Sequence, residues 1–149
     1  MRATKGPSSR HRSREAALQM LYAIDLGRRS RIGDPAEVFQ SVCENFELPE
    51  GARAFAKELV TGVTAESASL DAEIARHAQR WRISRMAAVD RNVLRLGAFE
   101  LLHSDAPAAV VIDEAVELAR RFGGERSPGF VNGILDAIAR QRRGGEEAS

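Results

Sequence analysis

From Ala17 to Ile138 the apolar residues recur every three or four positions in successive runs, and glycine, proline or a capping residue separates one run from the next. That spacing gathers them on one face of an α-helix, whereas a half-buried strand would need alternation in twos. No alternating β-branched run with a hairpin turn occurs anywhere in the chain. The pattern therefore predicts an all-α fold of about seven helices.

The first helix is expected to start at Ser13 as N-cap, to carry Ala17, Met20, Leu21 and Ile24, and to stop at Gly27. Asp34-Pro35-Ala36-Glu37 supplies a cap, a first-turn proline and a capping glutamate for a second helix ending near Asn45. Pro49 and Glu50 open a third with Phe55, Leu59 and Val63 in one stripe, and Leu70, Ile74 and Ala78 mark a fourth. After a cap at Ser84, Met86, Val89, Val93, Leu94, Leu96, Gly97 and Leu101 form an apolar face wide enough for the centre of a bundle. A sixth helix follows the break at Asp105-Ala106-Pro107, with Ile112, Ala115, Val116, Ala119 and Phe122 on its stripe and Gly123-Gly124 at its end. Ser127-Pro128 begins the last, which carries Phe130, Val131, Ile134, Leu135 and Ile138.

With 149 residues, 44% of them hydrophobic, the chain is long enough for one domain to bury a core without disulfides or metals. Cys43 is the only cysteine, so no internal disulfide can form, and a reducing, cytoplasmic setting is expected. No apolar run approaches the length of a membrane span or a signal peptide. Residues 1–12, with Gly6, Pro7, Ser8 and Ser9, read as a flexible basic arm, 13–141 as the helical domain and 142–149 as a disordered tail.

Charge is unevenly spread along the chain. Lys5 and seven arginines against Glu15 and Asp25 leave +6 on residues 1–31 and −5 on the rest of a chain whose total is +1. A basic end on an acidic body suits a polyanion ligand, although a solvated tail has the same composition. Arg10 and Arg12 fall just before the first helix and Arg14 in its first turn, where cations oppose the helix dipole, with Gln19 and Tyr22 further along it. Guanidinium forks bind phosphates and stack on bases, and a tyrosine offers a face to an unstacked base. Tyr22 lies equally close to the Leu18 and Leu21 stripe, which would make it a core residue.

Catalytic chemistry finds little support. Glu100 and His103 have the spacing of a di-metal helix motif, but neither His11 nor His77 has a glutamate three residues before it. Glu73 and His77 read as a helix-surface pair. Gly123-Gly124 leads to Glu125 and Arg126 rather than to the Lys-Ser or Lys-Thr of a phosphate loop. The expectation is a protein with no catalytic residues, metal or cofactor.

Three blocks resemble the NusB family. They are Ser13-Arg14-Glu15-Ala16-Ala17-Leu18-Gln19-Met20-Leu21-Tyr22, then Val89-Asp90-Arg91-Asn92-Val93-Leu94-Arg95-Leu96-Gly97-Ala98-Phe99-Glu100-Leu101, and a C-terminal group. The last comprises Val111-Ile112-Asp113-Glu114-Ala115-Val116-Glu117-Leu118-Ala119, Phe122-Gly123 and Phe130-Val131-Asn132-Gly133-Ile134-Leu135-Asp136. Together they span Ser13 to Ile138 in order and without large gaps.

The resemblance implies two packed helical subdomains in one compact domain and a role in transcription antitermination. It implies binding to boxA-type single-stranded RNA of ribosomal RNA leaders, pairing with a NusE-type ribosomal protein, and work within the transcription elongation complex, beside RNA polymerase and other Nus factors. It assigns Arg10, Arg12, Arg14, Gln19 and Tyr22 to one RNA-binding region, Phe130 to a second, and Asp90 to the partner surface. Arg126 stands where some relatives have an acid, which implies a more basic RNA surface here. Relatives are monomers or dimers, so a homodimer is among the partners the resemblance allows.

Other readings stay open at this point. Phe130 is as well placed for the core of the last helix as for stacking on a base. Asn132 is expected to bond backbone and Gly133 to permit close helix packing, while Asp113, Glu114 and Glu117 read as a solvated or salt-bridged face. A NusB-like domain also precedes some RNA cytosine methyltransferases; that version needs a following dinucleotide-type domain, and only four residues follow Gly145.

Overall fold

The structure is a computed structural model that describes residues 9–30, 48–78 and 82–148. Six α-helices lie among them: α1 (Ser9–Ser30), α2 (Glu50–Ala65), α3 (Ser67–Ala78), α4 (Ala88–His103), α5 (Ala108–Phe122) and α6 (Ser127–Ala148), with a 3-10 turn at Ile83–Arg85. No strand occurs among the described residues. The helix expected from Asp34 to Asn45, most of the basic arm and Cys43 lie outside the described residues. No helix of the described residues is long and apolar enough to cross a membrane.

The chain divides into two compact units, residues 1–62 and 63–149. In the first, Ala16 of α1 clusters with Leu48, Ala52 and Ala56 at the start of α2. Small side chains let the two helix backbones approach, and the buried Ser13 hydroxyl uses that proximity to donate to the Ala52 carbonyl at 2.9 Å. Ser13 is thus an interhelical tie and not the expected N-cap. α1 starts four residues earlier, at Ser9, and continues past Gly27.

In the second unit α4 packs against α3, α5 and α6, and α5 and α6 pack against each other. Its central place follows from its apolar breadth, since Val93, Leu94, Leu96, Ala98 and Leu101 are all buried. Gly97 lets α6 come close: a Cβ there would sit 2.5 Å from Leu135 Cδ1, inside contact distance of a fully buried side chain. Gly133, expected to permit such packing, is exposed, and a Cβ at that position would meet nothing within 4 Å. Asn132 is exposed as well, because α6 turns Val131, Ile134, Leu135 and Ile138 inward.

Polar ties fix the surrounding pieces. Arg95 forks onto Asp71 of α3, Nε to Oδ1 at 2.7 Å and Nη2 to Oδ2 at 2.9 Å, a bidentate pair that sets orientation as well as distance. The buried Arg91 sends Nη1 to the carbonyls of Ile83 and Met86 at 3.1 and 2.9 Å, fastening the 3-10 turn to α4. Ser84 lies exposed inside that turn and does not cap α4, whose N-cap is Ala87 without a side-chain bond. The α5 stripe is rotated from the expected one: Val111, Ala115, Leu118 and Ala119 are buried, while Ile112 and Val116 are half-buried. α6 runs through Gly144 to Ala148, so the expected tail from residue 142 is helical to its penultimate residue.

Candidate nucleic-acid interface

The predicted site residues fall into two groups, one in each unit. In the first, the earlier start of α1 puts Arg10 and Arg12 on the helix rather than ahead of it. Arg10 and Arg14 are one turn apart and both point to Phe55 of α2, with guanidinium carbons 4.0 and 5.5 Å from the ring centroid. Arg10 is exposed, whereas Arg14 is only 5% exposed, so the two arginines are not equivalent as ligands for phosphate. Arg12, Gln19 and Tyr22 are half-buried. Between the arginines, His11 Nε2 lies 3.1 Å from Oε1 of the buried Glu15.

In the second unit a cleft of about 690 Å³ opens between the 3-10 turn and the start of α6. Arg85, Met86, Ala87 and Asp90 line it on one side, and Gly124, Glu125, Arg126, Ser127 and Phe130 on the other. The junction of α5 and α6 is built tightly. Gly124 N–H donates to Ser127 Oγ at 2.9 Å. A Cβ at Gly123 would meet that hydroxyl at 2.6 Å and the Ala119 carbonyl oxygen at 2.8 Å, so this position excludes any side chain.

The cleft combines three kinds of contact. Arg126 is exposed at the start of α6, where backbone N–H groups and the helix dipole also favour anions. Phe130, a turn further on, is half-buried and lines the cleft instead of filling the core. Among the described residues the buried Asp90 Oδ1 has no hydrogen-bond partner, and its residue lines the wall of the cleft opposite Phe130. Arg126, Phe130 and Asp90 are therefore brought together, although 35 or more residues of chain separate Asp90 from the other two.

Two contributors do not stand out in the sequence. Arg85 reads only as the residue after a cap at Ser84, and Phe55 reads as part of an apolar stripe. An exposed arginine ahead of a capless helix is the available signal for the first, and the arginines a turn apart for the second. The Glu100 and His103 pair does not form a site: Glu100 is buried and His103 is exposed beside Phe99. Among the described residues no group of His, Cys, Asp and Glu side chains could hold a metal ion. Glu73 and His77 do form the expected surface pair at 3.4 Å, and His77 also meets Gln141 of α6 at 2.6 Å. Glu117 pairs with Arg120 on the exposed face of α5.

A sequence model described as the NusB family matches residues 11–140. The transcription antitermination protein NusB of Sorangium cellulosum is 51% identical over 132 residues, covering 88% of this chain and 91% of that protein. NusB of T. maritima, a solved structure, is 36% identical with a TM-score of 0.79, covering 92% of this chain and 93% of that one. A solved structure of antitermination factors NusB and NusE in complex with double-stranded RNA matches at 33% identity and a TM-score of 0.78, with 89% and 97% coverage.

Proposed function

The chain belongs to the NusB family, and on that premise we propose that it is an RNA-binding antitermination adaptor, cytoplasmic and without a catalytic step of its own. Its ligands are boxA-type single-stranded RNA and a NusE-type ribosomal protein, and through them the transcription elongation complex. The observation that carries this reading is the placement of Phe130 and Arg126 side by side on the cleft. An aromatic face next to an exposed cation is what a splayed-out nucleotide requires, one for its base and one for its phosphate. Asp90, on the opposite wall of the cleft, belongs to the surface for the NusE-type partner.

The related structure, of NusB and NusE in complex with double-stranded RNA, supports RNA as the class of ligand and a NusE-type protein as the partner. A titration tests the reading: a boxA-type single strand, the same sequence as a duplex, and a scrambled strand, each with and without the NusE-type protein. Preferential binding of the boxA-type strand, strengthened by the partner, is expected. Equal affinity for the scrambled strand in the presence of the partner would overturn the adaptor reading.

A further inference from the structure

We propose that Phe55 is a positioning residue for RNA binding, holding the Arg10 guanidinium stacked and oriented at the surface of the first unit; the proposal rests on the adaptor reading above. Three observations carry it. The Arg10 guanidinium carbon lies 4.0 Å from the Phe55 ring centroid, well within cation–π range. Arg10 is exposed, and among the described residues no carboxylate pairs with it. The same ring also receives the buried Arg14 at 5.5 Å, so α2 presents one aromatic surface to two cations from successive turns of α1.

An arginine stacked on an aromatic ring keeps its whole charge and its N–H edges for another ligand. Stacking on Phe55 fixes the plane of the guanidinium, which removes much of the rotamer freedom that a long exposed side chain would otherwise lose on binding. A plane already stacked on one side can take a base or offer a fork to phosphate on the other.

The test uses the full-length protein and a boxA-type single-stranded RNA. In the RNA-free protein, the Arg10 Nε–Hε resonance is expected upfield from ring-current shielding, and Phe55→Leu should return it to the position of an unstacked arginine. Phe55→Leu should weaken RNA binding by about two- to fivefold, and Phe55→Tyr, which keeps the ring, should restore it. Combined with Arg10→Gln, Phe55→Leu should add nothing further. A full additional loss in that background would make Phe55 a structural residue only and overturn the proposal, as would an unshifted Arg10 resonance in the unaltered protein. RNA binding that Phe130→Ala weakens and Phe55→Leu does not would overturn this inference alone, leaving the adaptor reading in place. Absence of RNA binding by the unaltered protein would remove both.

Discussion

Phe130 and Arg126 stand a helical turn apart on one cleft, yet they answer to different forces. Stacking of a base on Phe130 is largely independent of salt, so Phe130→Ala is expected to cost about 1–3 kcal/mol of RNA affinity while leaving the salt slope nearly unchanged. A half-buried ring has little to lose in the core, and the melting temperature should hardly move, unlike the loss of about 3–5 kcal/mol that follows truncation of a fully buried phenylalanine. Arg126→Asp replaces a charged contact with a repulsion. It should weaken binding by about 1 kcal/mol or more at low salt, an effect that a titration at rising ionic strength should see shrink. Arg14 shows where a motif misleads about exposure. Its place beside Arg10 and Arg12 suggests an equivalent ligand, but helical spacing turns it toward the interior, and its replacement would mix a packing loss with any loss of RNA.

At the scale of the helices, two glycines on neighbouring elements predict opposite outcomes. Gly97→Ala on α4 forces a methyl group against the buried Leu135, and overpacking of about 1–3 kcal/mol outweighs the gain of roughly 1 kcal/mol in helix propensity. Thermal melting should fall by a few degrees. Gly133→Ala on α6 meets nothing within 4 Å and should raise the melting temperature, since only the propensity gain remains. Sequence locates both glycines but not the neighbour of either. The same division runs through the fold. Apolar periodicity places the starts of α2 to α6 to within a few residues, because burial of a stripe and helical spacing are one physical demand. Helix ends are harder to place. Ser13 has the chemistry of a cap, but its hydroxyl serves Ala52 on another helix, and Gly144 and Gly145 do not stop α6. The cleft is out of reach of sequence because its walls come from segments far apart in the chain, although Asp90, Arg126 and Phe130 each stand out on other grounds.

The whole molecule carries its charge asymmetrically, +6 on residues 1–31 and −5 on the remainder. Such a chain suits two ligands on surfaces of opposite sign, each relieving like-charge repulsion within the surface it covers. Binding of the NusE-type partner is expected to tighten RNA binding, and RNA to tighten partner binding by the same factor, because coupling free energy is reciprocal. Calorimetric titrations around all four sides of the binding square check this, and independent affinities would remove the cooperative mechanism. Replacing Arg10 and Arg12 together should also flatten the salt dependence of RNA binding, by a slope of roughly 0.7 for each phosphate no longer neutralised.

The α5–α6 elbow has a consequence in time as well as in space. Gly123 has no room for a side chain, and the Ser127 hydroxyl clamps the Gly124 amide, so that wall of the cleft is in place before any ligand arrives. A site that needs no loop to order itself is reached by simple collision, and its occupancy is then governed by how long the ligand stays. In stopped-flow mixing, the observed association rate should rise in proportion to RNA concentration without levelling off. Residence time, rather than speed of capture, would then distinguish one RNA from another.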